Sequence, residues 1–245
     1  MPTEIEWTKD PITGRKGETW NPVTGCTPVS EGCEHCYARR MAQRLRGRFG
    51  YPEDDPFRPG VTHGNKWGEP LNWQQPRKIF VCSMGDLFHG DVSIADQTLV
   101  MNMAKICQQH TFIVLTKRPE NVPTFWPARS NLWMGVSVEN QRAADKRIPL
   151  LLDIPAAVRF VSCEPLLDWV DLDSWINYLD WVICGGETGP GARKMEKEWA
   201  YLLRDQSIIS HTPFFFKRWG TAYGQENTRE MCGREWNQWP EGGKP

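Results

Sequence analysis

A chain of 245 residues that is 40% hydrophobic is long enough for one large α/β domain with a substantial core, and too apolar to stay disordered. With 29 basic and 30 acidic residues the net charge is −1, so no global field draws it to nucleic acid or acidic membranes, and any such contact must come from a local patch. The opening MPTEIEWTKD has no basic segment followed by an apolar one, the longest apolar runs are strand-length, and the 8 cysteines lack the look of a secreted disulfide framework, so a cytoplasmic protein without a membrane span is expected.

In chain order, residues 19–25 (TWNPVTG) suggest a short first strand, weakened by Pro22. Three cysteines follow within eleven residues, and Tyr37, Met41 and Leu45 then recur at helical spacing. Residues 47–76 are rich in Gly, Pro and charge; an insertion of that length is expected to be a lid or a docked loop. Apolar runs at 78–83, 112–116, 132–137, 158–162, 181–184 and 213–216 read as strands covered on both faces. Between them, Leu99, Val100, Met103 and Ile106 form one helical stripe, 140–147 is polar and helix-friendly, and Trp199, Leu202 and Leu203 form another stripe. The 232–245 tail is polar and expected to be peripheral. The 13 tryptophans, many in Gly/Pro-rich segments, are expected mostly to pack loops onto the core, with stacking platforms the alternative.

This alternation predicts one α/β domain over 1–245, either a partial (β/α) barrel of the TIM type or an open doubly wound sheet; periodicity does not separate them. Each strand ends in polar or glycine residues: Gly85 and Asp86; Lys117 and Arg118; Ser137, Glu139 and Asn140; Cys163 and Glu164; Gly185, Gly186 and Glu187; Lys217 and Arg218. Parallel α/β folds place their sites at carboxyl strand ends, so this rim is expected to be the active site. The lysine–arginine pairs are expected either to grip an anionic group of substrate or to pair with Glu164 and Glu187.

Cys33 and Cys36 have C-x-x-C spacing, and Cys26 lies seven residues earlier on a loop that can fold back. Three thiolates on a [4Fe–4S] cluster would leave one iron open to a small chelating molecule. The rivals are a structural zinc, with Cys82, Cys107 or Cys163 as fourth ligand by tertiary approach and His35 badly placed to be one, and a redox dithiol that leaves Cys26 unexplained.

Trp20-Asn-Pro-Val-Thr-Gly-Cys26 and Gly32-Cys33-Glu-His-Cys36-Tyr37-Ala38 resemble the three-cysteine phage Gp37/Gp68 family. So do Asp86-Leu-Phe, Leu115-Thr-Lys-Arg-Pro119, Gly135-Val-Ser-Val-Glu139, Ser162-Cys-Glu-Pro-Leu166 and Gly185-Gly-Glu187. That family is similar to the radical S-adenosylmethionine (SAM) superfamily and, more distantly, to spore photoproduct lyase. The first cysteine gap is six residues where the superfamily usually has three, and His35 stands where an aromatic residue is frequent.

The resemblance implies a partial barrel of the radical SAM type, with Cys26, Cys33 and Cys36 holding a [4Fe–4S] cluster after the first strand. The implied reaction cleaves SAM to a 5′-deoxyadenosyl radical, with a reductase or flavodoxin-like protein as electron donor. Asp86 would accept a hydrogen bond from the methionine amino group, Gly85 would allow close backbone approach, and Ser137, Glu139, Gly185 and Gly186 complete the expected cofactor contacts. Glu164, Glu187, Lys117 and Lys217 are the expected catalytic residues across the mouth. A nucleic acid or nucleotide is the expected substrate, with Arg39, Arg40, Arg44, Arg46 and Arg48 either tracking its backbone or forming a solvated helix face. Two alternatives are a metal-stabilised barrel that binds nucleic acid or protein without catalysis, and a hydrolase or transferase using Glu164 and Glu187 as acid and base. Cys163 is expected to be a buried strand cysteine, with hydrogen donation as the alternative.

Overall fold

The computed structural model describes residues 3–241. Its framework is a parallel seven-stranded sheet: β1 (Glu18–Trp20), β4 (Lys78–Val81), β5 (Thr111–Thr116), β6 (Leu132–Ser137), β7 (Val158–Cys163), β8 (Trp181–Cys184) and β9 (Phe214–Phe216). The spatial order follows the sequence without reversal, which excludes the doubly wound sheet, whose strand order turns back at a switch point. The sheet curls into a half-barrel but does not close, because β1 and β9 are its two edges. Two small antiparallel pairs flank it, β2 (Val23–Thr24) with β3 (Val61–Thr62) and β10 (Glu230–Met231) with β11 (Arg234–Glu235). The predicted first strand is split, because β1 stops before Pro22 and β2 turns away to pair with the insertion.

The two faces of the sheet are filled differently. Helices α2 (Ile94–Ile106), α3 (Gln141–Leu152) and α4 (Lys197–Ile209) bury Val100, Ile148 and Leu203 against one face, with Val81, Val114, Val136, Val161 and Phe216. Among the described residues the other face is covered by no α-helix, only by the short 3-10 turn Glu6–Thr8 that carries Trp7. Phe80, Ile113, Trp133, Phe160, Trp181 and Phe215 fill it together with Trp7. A curved face without a covering layer must fill its own interior, which calls for large rings. Gly135 makes room for one of them: a Cβ there would lie 2.4 Å from the Phe160 ring. Both chain ends close this floor. Trp7 sits 4.8 Å from Phe80 and 6.2 Å from Trp181, Trp239 sits 5.2 Å from Phe215, and Trp239 Nε1 donates to the Trp7 carbonyl at 3.0 Å. The tail is therefore less peripheral than its polarity suggests: Trp236 is buried and its carbonyl accepts from Phe216 N. Residues 242–245 lie outside the described residues.

Two predicted helical stripes hold only in part: Val100 and Met103 of one and Leu45 of the other pack inward, and the remaining members do not. In α2 the buried residues are Gln97, Val100, Met101 and Ala104, while Leu99 and Ile106 are exposed. In α1 (Tyr37–Arg44) the buried residues are Ala38 and Ala42, while Tyr37 and Met41 are exposed. Alanines face inward on α1 because the insertion packs directly onto it: Tyr51 and Phe57 cluster with Ala38, Ala42, Cys26 and Cys36. The 47–76 segment is thus a docked wall of the cysteine loop. Phe57 O accepts from Cys26 N at 3.2 Å, and Gly25, at φ 89°, passes so close that a Cβ would sit 1.9 Å from Arg58 O. Among the described residues no helix is long and apolar enough to cross a membrane.

Candidate active-site cavity at the carboxyl end of the sheet

Side chains alternate along a strand, and the alternation continues past the strand ends. The inner-face series runs Ile113, Leu115, Lys117 on β5; Trp133, Gly135, Ser137, Glu139 on β6; and Phe160, Ser162, Glu164 on β7. It continues as Trp181, Ile183, Gly185, Glu187 on β8 and Phe215, Lys217 on β9. One parity therefore carries aromatic rings at the amino end and polar groups at the carboxyl end. They enclose a cavity of about 390 Å³. Cys26, Cys33 and Cys36 line it together with Gly85, Asp86, Lys117, Ser137, Glu164, Gly186, Glu187 and Lys217, and Trp7 and Phe80 contribute rings. Of the expected cofactor contacts, Glu139 and Gly185 do not line it. Glu139 lies behind Lys117, only 1% exposed, and Gly185 is occupied in backbone packing, with Lys217 Cβ 3.2 Å from where its own Cβ would stand.

The three cysteines come from one loop and are free and half-buried. Cys26 Sγ accepts from Arg118 Nη1 at 3.2 Å. Burial and the Asp86 charge push the Cys26 thiol up to about 11, with Arg118 opposing them. Arg193, from the loop after β8, ties this segment down by donating to Glu31 O at 3.0 Å and pairing with Glu34 at 3.1 Å. Arg40 donates to Thr188 O at 3.0 Å from the other side.

Every ionic group named on the rim has a partner. Lys117 Nζ lies 3.2 Å from Glu139 Oε2, which also accepts from Arg147 at 2.7 Å. Burial alone would raise the Glu139 carboxyl, but Lys117 and Arg147 hold it down to about 2. Lys217 pairs with Glu164. Glu187 accepts from Arg193 N and Nε at 2.8 and 3.0 Å and meets His35 Nδ1 at 3.0 Å; these bonds overcome its burial and hold it at about 2. Asp86 is saturated: Oδ1 accepts from Thr116 Oγ1 at 2.7 Å and Phe88 N at 3.1 Å, and Oδ2 from Lys117 N at 3.2 Å and Arg118 Nη1 at 3.1 Å. An Asp86 that binds a cofactor amine would have to give up one of these donors.

The expected choice between gripping substrate and pairing with Glu164 and Glu187 resolves unevenly. Of the four cations only Lys217 pairs with one of those two carboxylates, Glu164; Lys117 takes Glu139, Arg118 takes Asp86, and Arg218 turns to Glu6 because neighbouring residues of an extended chain point opposite ways. In the basic run, Arg40, Arg46 and Arg48 bond backbone carbonyls and Arg39 lies 5.6 Å over the Phe57 ring. Cys163 packs on the helix side of the sheet, away from the cavity; Cys82 lines the cavity instead, its thiol pushed up to about 12 by burial. Arg193, Arg147, Thr27 and His89 belong to the hydrogen-bond network around the cavity and were missed by sequence reasoning. Arg193 alone had a local signal, since it follows the 189–191 Gly-Pro-Gly turn beside a predicted rim residue.

Among the described residues no three His, Cys, Asp or Glu side chains are gathered closely enough to hold a single metal ion. His35 bonds Glu187 through Nδ1, the kind of carboxylate contact that metal-bound histidines also make, so this bond does not itself count against it as a ligand. Thiolates that bind different irons of a cluster stand farther apart than ligands of one ion, so the cluster reading does not require such a gathering.

No curated protein and no solved structure matches the chain. A family model described as a protein of unknown function, DUF5131, matches residues 2–240, and the chain belongs to that family.

Proposed function

We propose that the protein is a radical SAM enzyme built on a partial (β/α) barrel of the TIM type, as its resemblance to the phage Gp37/Gp68 family implies. One observation carries the reading. Three free cysteines of one loop share a cavity with polar residues from successive parallel strand ends. Three thiolates suit a [4Fe–4S] cluster with one open iron, and Cys26, Cys33 and Cys36 would hold it. With SAM bound, such a cluster supplies the electron that cleaves the sulfonium C–S bond and yields a 5′-deoxyadenosyl radical.

The chain's own groups have separable tasks. The insertion wall and the Arg193 latch hold the cysteine loop in place. Asp86 fixes the 116–118 turn. The Lys217–Glu164 pair presents polar groups whose charges are already balanced, and Lys117 is tethered to Glu139 behind the wall, so the cavity suits a polar substrate group without a large net charge. A nucleobase or nucleoside moiety of a nucleic acid or nucleotide fits that description. A flavodoxin-like or reductase donor and a cytoplasmic setting belong to the same reading.

In the acid–base hydrolase alternative Glu187 would have to be the base, and a weak one, because Arg193 and His35 hold its carboxyl at about 2 despite burial. The test is anaerobic purification with iron and sulfide analysis, followed by reduction with SAM and assay for 5′-deoxyadenosine. About four irons per chain and release of 5′-deoxyadenosine are expected. Stoichiometric zinc without sulfide would leave the metal-stabilised barrel, and a cluster without SAM cleavage would leave an electron-transfer or structural one.

A further inference from the structure

Among the rim cations, Arg118 makes a contact of a different kind. We infer that Arg118, clamped by Asp86 and Thr27, is a positioning residue that sets the electron affinity of the cysteine site by donating a charged hydrogen bond to Cys26 Sγ. The inference rests on the cluster reading and adds to it a determinant of the cluster's reduction potential.

The clamp is complete on every side. Arg118 Nη1 lies 3.2 Å from Cys26 Sγ and 3.1 Å from Asp86 Oδ2. Nη2 donates to Thr27 O at 2.8 Å and to Thr27 Oγ1 at 3.1 Å. The side chain is only 8% exposed, so solvent and salt screen it weakly. Thr27 Oγ1 is held in turn by His89 Nε2 at 2.7 Å, and His89 Nδ1 accepts from Asp91 N at 3.1 Å, which makes Nε2 the protonated nitrogen and Thr27 the acceptor. A lysine at this position has the charge but not the planar fork that serves Cys26, Asp86 and Thr27 together.

The three cysteines are not equivalent in this respect. Cys33 Sγ meets the Ser30 hydroxyl at 3.9 Å, and among the described residues no cationic side chain lies at hydrogen-bond distance from Sγ of Cys33 or Cys36. A positive donor on a ligating sulfur stabilises the more negative, reduced state and so raises the potential. Asp86 acts with the opposite sign, since its charge lies behind the guanidinium and disfavours reduction. Arg118 and Asp86 should therefore shift the potential in opposite directions, which a purely structural role for the clamp does not predict.

The experiment is an anaerobic redox titration of the reconstituted full-length chain without SAM, followed by electron paramagnetic resonance. For Arg118→Met, the ratio of reduced to oxidised cluster at the wild-type midpoint should fall about tenfold, a shift of about 59 mV to more negative potential for a one-electron couple. Asp86→Asn, nearly isosteric, should shift the midpoint the other way, and Arg118→Lys should fall between wild type and Arg118→Met. Unchanged midpoints, or both variants shifting in one direction, overturn the inference while leaving the cluster reading intact. Should Arg118→Met assemble no cluster, Asp86→Asn decides alone, and an unchanged or more negative midpoint overturns the inference. A wild-type chain with no iron–sulfur cluster overturns the cluster reading and this inference with it.

Discussion

The two ends of the sheet's inner face are built from the same strands and the same side-chain parity, yet they solve opposite problems. At the amino end Trp133, Trp181, Phe160 and Phe215 fill the space with rings; Lys78 lies 5.1 Å over Trp133 and 5.6 Å over Trp239, and Arg229 lies 5.4 Å over Phe215. At the carboxyl end Lys117, Glu164, Glu187 and Lys217 occupy the equivalent positions, each with an ionic partner. The floor gains stability from apolar burial. The rim gains little from its ion pairs, because each charge loses hydration, but the pairing fixes where polar groups point. The packed floor and the candidate site are thus separated along one set of strands, with Phe160 and Glu164 on β7 and Phe215 and Lys217 on β9 marking the two ends.

The largest expected effects come from breaking the rim at its cysteine side. Replacing Cys26, Cys33 or Cys36 with Ala should abolish the iron chromophore, whereas Cys163→Ala, on the helix side of the sheet, should leave the iron content unchanged. Across the mouth, Glu187→Gln and Lys217→Met should spare cluster assembly but uncouple SAM cleavage from substrate turnover, read as 5′-deoxyadenosine formed per product.

The floor should respond in stability instead. Trp181 is fully buried and touches Trp7, Phe160 and Phe215, so Trp181→Ala should lose about 3–5 kcal/mol in denaturant unfolding. A loss below about 1 kcal/mol would show that the rings do not form one packed floor.

Two pH experiments sharpen the contrast. Glu139 has a folded-state value of about 2 against an ordinary 4.5. Its contribution, about 3 kcal/mol at most, should be fully present above the ordinary value and lost as pH falls from there through about 2. Glu139→Gln should flatten acid unfolding across that window. Lys78 has the opposite effect: burial lowers it to about 8 from 10.5, so the folded state disfavours its charge. That penalty is full below pH 8 and is relieved as pH rises from about 8 toward 10.5. Lys78→Met should therefore stabilise the fold at pH 7 by about 1–2 kcal/mol, the smallest of these effects because cation–π contact offsets part of the penalty. No gain at pH 7 would mean that the two indoles compensate the charge fully.

By itself the sequence determined whatever depends on neighbours along the chain. Continuous apolar runs located the six later strands of the main sheet, because strands buried on both faces need no polar side. The 26–36 spacing marked the cysteine loop, and the polar residues after each run marked the rim, because strand ends are local events. It did not determine which side of α1 or α2 is buried, because both helices carry apolar residues on more than one face and only the surface they meet makes the choice. Nor did it determine partners. Arg118 reaches Cys26 across 92 residues, His35 reaches Glu187 across 152, and Trp239 caps Trp7 across 232. Those pairings exist because the curled sheet brings its strand ends around one cavity. The distance between two such residues is set by the curvature of the whole sheet, a property that no local pattern encodes.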